Sequence, residues 1–146
     1  MEAIIFIGIP ASGKSTFYRV NFLNLHYLIS NDLLNTKNEE WEMIDFCLET
    51  NKNMVIDNTN YSKETRLAYI KKFKHHNYNI IGYFFEVDVK RSIKWNNERE
   101  KSKIIPDVAI RTINAKIEKP KISEGYDKLY HIVYIRNKLI VKDYVD

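Results

Sequence analysis

The chain has 146 residues, 45% of them hydrophobic and 29% charged, with a net charge of +4 at pH 7. That length suits one domain with a real core, and no apolar run approaches membrane-spanning length, so a membrane partner is excluded from the expectations. The single cysteine, Cys47, excludes an internal disulfide and fits a reducing, cytoplasmic setting.

In chain order, residues 3 to 7 form a continuous apolar run. It reads as a buried strand rather than a signal peptide, because a loop with fixed glycines follows directly. That loop, Gly8-Ile9-Pro10-Ala11-Ser12-Gly13-Lys14-Ser15, fits the phosphate-binding pattern G-x-x-x-x-G-K-[ST], and Thr16 to Val20 begin a helix after it. Bent between strand and helix, such a loop aims successive backbone N–H groups inward as a nest for phosphate oxygens. Gly8 and Gly13 permit close approach that a Cβ would obstruct, Lys14 reaches the β- and γ-phosphates, and the Ser15 hydroxyl suits Mg²⁺. The residues expected to touch a nucleotide are therefore Gly8, Pro10, Ala11, Ser12, Gly13, Lys14, Ser15 and Thr16.

A second strand is expected over 27–30, ending at Asn31-Asp32. Asn38 is the expected N-cap of an amphipathic helix that turns Trp41, Ile44, Cys47 and Leu48 inward, which makes Cys47 a core residue. A third strand over 54–56 delivers Asp57 and then Asn58-Thr59-Asn60. Ser62 caps the next helix, with Leu67, Ile70 and Phe73 on its inner face. Strand four spans 80–87. A helix from about 89 to 99, a mobile polar link over 100–105 and a helix opened by Pro106 and ended by Pro120 follow. Strands over 130–136 and 139–142 meet at a turn at Asn137-Lys138. Alternating strands and helices predict one α/β domain with a mainly parallel sheet flanked by helices.

Ligands of an open parallel sheet gather at the carboxyl ends of its strands. Two carboxylates belong there. Asp32 is suited to accept the proton of an attacking hydroxyl, and Asp57 follows its strand in the manner of a Walker B acid beside Mg²⁺. The plainer alternatives are a turn aspartate at Asp32 and an Asx-type turn after Asp57. Between residues 88 and 121 ten Lys/Arg face five Asp/Glu. The stretch from Lys94 to Lys103 has the composition of a lid, in which Arg99 would grip two phosphate oxygens at once, aided by Lys101 and Lys103. A solvated helix face is the alternative. His75-His76 sits among lysines and is expected to be solvated rather than metal-binding.

These motifs, in this order, resemble the 5′-kinase domain of polynucleotide kinases: GIPASGKST, Ser30-Asn31-Asp32, Val55 to Asn60 (VIDNTN), Arg66 on the following helix, Asn96-Asn97 with Arg99, Ile105-Pro106, and Pro120 to Asp127 (PKISEGYD). The resemblance implies an adenylate-kinase-like P-loop fold with an Arg/Lys-rich lid. It also implies transfer of the γ-phosphate of ATP or GTP to the 5′-hydroxyl of DNA or RNA. Asp32 would be the general base, Lys14 and Ser15 would handle triphosphate and Mg²⁺, Asp57 would belong to the active site, and Arg99 would close over the donor phosphates. Two positions depart from the phage-type pattern. Asn35 stands where an acceptor-binding arginine is expected, which moves the acceptor grip toward Lys37 or Arg66, alongside Asn58, Thr59 and Asn60. Trp95 replaces a second arginine and suits either stacking on a base or packing under the lid. The D-x-D-G-T phosphatase motif of many relatives does not occur, so a kinase module alone is expected. A small-molecule or nucleoside kinase of the same fold is the second expectation, and a nucleotide-binding module without turnover the third.

Overall fold

The first apolar run becomes the central strand β1 (Glu2–Ile7), in which every residue from Ala3 onward is fully buried. The structure, a computed structural model, describes residues 1–146. The remaining strands are β2 (Tyr27–Ile29), β3 (Met54–Asp57), β4 (Asn79–Glu86), β5 (Lys128–Ile135) and β6 (Lys138–Asp143). They form one sheet in the order β2-β3-β1-β4-β5-β6. All neighbours run parallel except β6, which returns antiparallel along β5. Strands so short and apolar need cover on both faces, and the helices supply it.

Alternation along β1 divides the core. Ala3, Ile5 and Ile7 face a layer built with Ile44, Cys47 and Leu48 of α2 (Lys37–Glu49) and Tyr69, Ile70 and Phe73 of α3 (Lys63–His75). Ile4 and Phe6 face Phe17 and Tyr18 of α1 (Lys14–Asn21), together with Phe22, Phe85 and Ile132. This second layer is aromatic: Phe6 meets Phe17 and Phe85 edge-on, with ring centroids 5.9 and 5.1 Å apart. Such pairs add about 0.5–1.5 kcal/mol each beyond area burial. The result holds β1 rigid beneath the loop that leaves it.

Several local expectations shift. The cap of α2 is Thr36, not Asn38: its side chain accepts from the Glu39 N–H at 3.1 Å, and the Glu39 carboxylate accepts from Asn35 N–H at 2.8 Å. This reciprocal arrangement satisfies two donors at once, which Asn38 would not. On α3, Leu67 is exposed, and Arg66 and Tyr69 take the inner face with Ile70 and Phe73. The hairpin turn centres on Arg136-Asn137, both at positive φ (52° and 62°), one residue earlier than the sequence suggests. Paired left-handed residues match the strand twist of a two-residue hairpin.

Beyond β4, α4 (Val89–Asn97) ends two residues early, and the link after it contains a 3₁₀ turn (Lys101–Lys103). Pro106 is the N-cap of α5 (Asp107–Lys116), which stops before Pro120 is reached. Ser62 caps α3 as expected, accepting from the Thr65 N–H at 3.2 Å. Cys47 is a core residue whose thiol is pushed up to about 11 by burial, far from any nucleophilic state.

Candidate active site

The phosphate-binding motif adopts the strand–loop–helix form. Gly13 caps α1 in the left-handed region (φ 98°), and Ala11 also has positive φ (57°). At Gly8 the need is for space: a Cβ there would lie 2.9 Å from Phe85 Cβ and 3.2 Å from the Phe85 carbonyl oxygen. Its N–H donates to the Thr59 carbonyl at 3.0 Å, tying the loop to the segment after β3. Ser12 is buried beneath the loop, and Thr16 lies exposed on α1, accepting from Arg19 at 3.3 Å.

Lys14 is buried, and its ammonium donates to the carbonyls of Gly8 and Ile9 at 3.0 and 2.7 Å. Burial pulls its pKa down to about 8; Asp57 and Asp32 work against that shift and Arg99 adds to it. One ammonium thus feels groups from β3, from the loop after β2 and from the lid. Ser15 Oγ donates to Asp57 Oδ2 at 3.3 Å, and burial raises the Asp57 pKa against the pull of Lys14. A hydroxyl and a carboxylate side by side at the mouth of a phosphate loop are hard oxygen donors, the kind Mg²⁺ accepts.

Asp32 is exposed, one turn past β2, with its N–H held by Ser30 Oγ at 3.0 Å. Asn35 is exposed and uses its backbone N–H in the α2 cap. Arg99 is exposed at the lid, with a single long bond of 3.4 Å to the Lys103 carbonyl. The lid is stapled at its base: the buried Asn96 side chain donates to the Ile105 carbonyl at 2.7 Å and accepts from the Ile105 N–H at 3.2 Å. Trp95 packs edge-on against Tyr134 of β5 at 5.0 Å, with Arg91 over the Tyr134 ring at 4.5 Å.

Other candidates turn inward. Asn60 (φ 45°) donates to the Phe6 carbonyl at 2.7 Å, and Asn58 faces Glu40 and Asn31. Arg66 is fully buried and belongs to the floor, not the cleft. Its Nε and one terminal nitrogen donate to the Glu124 carboxylate at 2.8 and 3.0 Å, and the other donates to the Asn60 carbonyl at 2.9 Å. The E-G-Y segment therefore earns its place by locking the Asn58–Asn60 loop from below. Glu40 is the buried residue the sequence did not announce, because a glutamate near a helix start reads as a dipole partner. An open depression of about 560 Å³ near Tyr18, His26 and Asn53 lies at the amino ends of the strands and contains none of these residues.

The model of the AAA domain family matches residues 4–120. The chain belongs to that family. Over 99% of its length this AAA-domain chain is 25% identical to the bifunctional polynucleotide phosphatase/kinase of Schizosaccharomyces pombe, of which it covers 36%. It is 29% identical over 97% of its length to a protein named as a bifunctional polynucleotide phosphatase/kinase of Acanthamoeba polyphaga mimivirus, covering 35% of it. The chain thus spans about a third of the length of these curated relatives, and the resemblance read from its motifs is borne out. Among solved structures, Kti12 of Chaetomium thermophilum with ADP-AlF3 superposes with a TM-score of 0.67 at 18% identity, over 90% of this chain and 89% of that one. The fold is that of a P-loop kinase.

Proposed function

We propose that the chain is a polynucleotide 5′-hydroxyl kinase module, a single domain that transfers the γ-phosphate of ATP or GTP to the 5′-OH end of DNA or RNA. The observation that carries the reading is the phosphate loop with its buried Lys14 ammonium and the Ser15–Asp57 pair beside it, to which the Asn31–Asn58 bond ties the loop that carries Asp32. The names of the two curated relatives point to the same chemistry.

In this reading Lys14 exchanges the Gly8 and Ile9 carbonyls for β- and γ-phosphate oxygens, and the loop N–H groups hold the rest of the triphosphate. Ser15 and Asp57 would hold Mg²⁺, which supplies charge neutralisation along the triphosphate when bound. Asp32 takes the proton of the acceptor hydroxyl as the hydroxyl oxygen attacks the γ-phosphorus, and the bond from the γ-phosphorus to the β–γ bridging oxygen breaks to release the nucleoside diphosphate. Arg99 turns from the Lys103 carbonyl to the oxygens on which charge gathers. The acceptor grip does not come from Arg66, whose guanidinium is sealed in the floor; Lys37, about half exposed, is the remaining cation near the Asp32 loop.

Labelled ATP or GTP with a panel of 5′-hydroxyl DNA and RNA oligonucleotides tests the proposal, and transfer to one class of end is the expected result. No transfer to any length or sugar would sink it. A small-molecule kinase of the same fold is the second reading, favoured by the neutral Asn35 where a cation would grip an acceptor phosphate. Salt separates the two: a polynucleotide acceptor weakens steeply as salt rises, a neutral one hardly at all.

A further inference from the structure

Resting on the reading of Asp32 as general base, we infer that Glu40 is a positioning residue for that aspartate, acting through the Asn58 side chain and the Asn31 backbone. Glu40 is a carboxylate with no exposed surface, and such a group persists in a fold only where donors surround it. Its Oε1 accepts from the Tyr69 hydroxyl and, at 3.0 Å, from the Lys37 ammonium. The same ammonium donates to the Tyr69 oxygen at 2.8 Å. Glu40 Oε2 accepts from Asn58 Nδ2 at 3.2 Å, and Asn58 Oδ1 accepts from the Asn31 N–H at 2.8 Å. Asp32 is the next residue. The chain of bonds therefore runs from the buried interior of α2 to the Asn31 backbone N–H, one residue before the aspartate expected to do the chemistry.

Glu40 and the Asn31 N–H fix the direction of this chain from its two ends. An ionised carboxylate only accepts, so the Asn58 NH₂ has to face it and the Asn58 carbonyl has to face Asn31. Glu40→Gln removes that constraint, because the new amide offers a donor as readily as an acceptor. The Lys37 ammonium, which only donates, draws the oxygen of the new amide, so the NH₂ of that amide meets the Asn58 NH₂ donor to donor; Asn58 loses its buried anchor and the loop that carries Asp32 is released. The donor half stays out of the network: Lys14, Ser15 and Asp57 bond elsewhere. The consequence should fall on turnover and spare nucleotide binding.

The test compares the full chain with Glu40→Gln and with the double substitution Glu40→Gln/Asn58→Asp. Amide hydrogen exchange at Asn31 is followed by NMR, and kcat and the KM for ATP are measured with a 5′-hydroxyl oligonucleotide. Glu40→Gln is expected to lower Asn31 protection about tenfold or more while β3 stays protected. It should also lower kcat about tenfold with the KM for ATP within about twofold. In the double variant amide and carboxylate exchange places. The amide then donates to the carboxylate, whose free oxygen accepts from Asn31, so protection and kcat should both recover toward wild type.

A purely stabilising Glu40 would instead lower Tm while leaving kcat and Asn31 exchange unchanged below the transition. That result, or no recovery in the double variant, overturns the inference. Asp32→Asn, run alongside, separates the two layers. Surviving turnover in Asp32→Asn removes the base assignment and the positioning role with it. Collapse in Asp32→Asn with none in Glu40→Gln removes the positioning role alone. If the wild-type chain transfers nothing to the oligonucleotide, the proposed acceptor falls, and the exchange data decide whether Glu40 holds the loop.

Discussion

The floor and the lid of the site each carry an arginine, and their circumstances are opposite. Arg66 has no exposed surface, and all three guanidinium nitrogens are bonded to Glu124 or to the Asn60 carbonyl. Arg99 is exposed and makes one bond at 3.4 Å. Sequence pattern suggests phosphate contact for both. A buried guanidinium with every nitrogen bonded to protein has little to offer a ligand, whereas one held weakly at the surface loses little in turning to a phosphate. The difference assigns Arg66 to the scaffold and leaves Arg99 as the loosely held lid cation whose charge Lys14 feels.

The sharpest way to break this comparison is to remove the floor. Arg66→Leu strands the Glu124 carboxylate in the interior and should cost about 3–5 kcal/mol of stability, read from urea unfolding. Removing Glu124 as well should recover part of that loss. Unchanged stability with weakened acceptor binding would return Arg66 to the cleft.

The lid should respond the other way. Arg99→Ala is expected to leave stability within about 0.5 kcal/mol, since the side chain is exposed and loosely bonded. Turnover should fall about 10²-fold, the scale of one lost charge contact in the transition state. An unaffected kcat would make the lid a solvated helix end.

The smallest expected effect belongs to the loop between floor and lid. Lys14 titrates near 8 rather than 10.5, because burial disfavours its charge. Phosphates favour the charged form, so the bound lysine titrates higher than the free one. Affinity for ATP in EDTA should therefore be flat below pH 8 and weaken about tenfold per unit above it, with proton uptake on binding. Calorimetry in buffers of different ionisation enthalpy at pH 9 reads that uptake directly. The sign for stability follows from the same shift: between pH 8 and 10.5 the unfolded chain holds the extra proton, so this lysine makes the fold more stable as pH rises through that window.

How much of this was legible depends on the distance along the chain over which each feature is decided. The phosphate loop, the buried strand before it and the aspartates at strand ends are written in contiguous residues, because glycine spacing and apolar runs act locally. The α2 cap falls two residues before Asn38 because Thr36 and Asn38 are both capping types, and only the position of Glu39 chooses between them. The hairpin shifted by one residue because neither Arg136 nor Asn137 is the glycine that usually marks positive φ.

By itself the sequence determined an AAA-family P-loop kinase fold, its phosphate loop and the elements that carry Asp32, Asp57 and Arg99. Only the tertiary structure decided which polar residues are spent on one another. Arg66 meets Glu124 across 58 residues and Glu40 meets Asn58 across 18. Periodicity carries no information about such pairs. Burial makes an unpaired charge costly, so the fold selects partners by proximity in space, and those selections separate the scaffold of this site from the groups free to act in it.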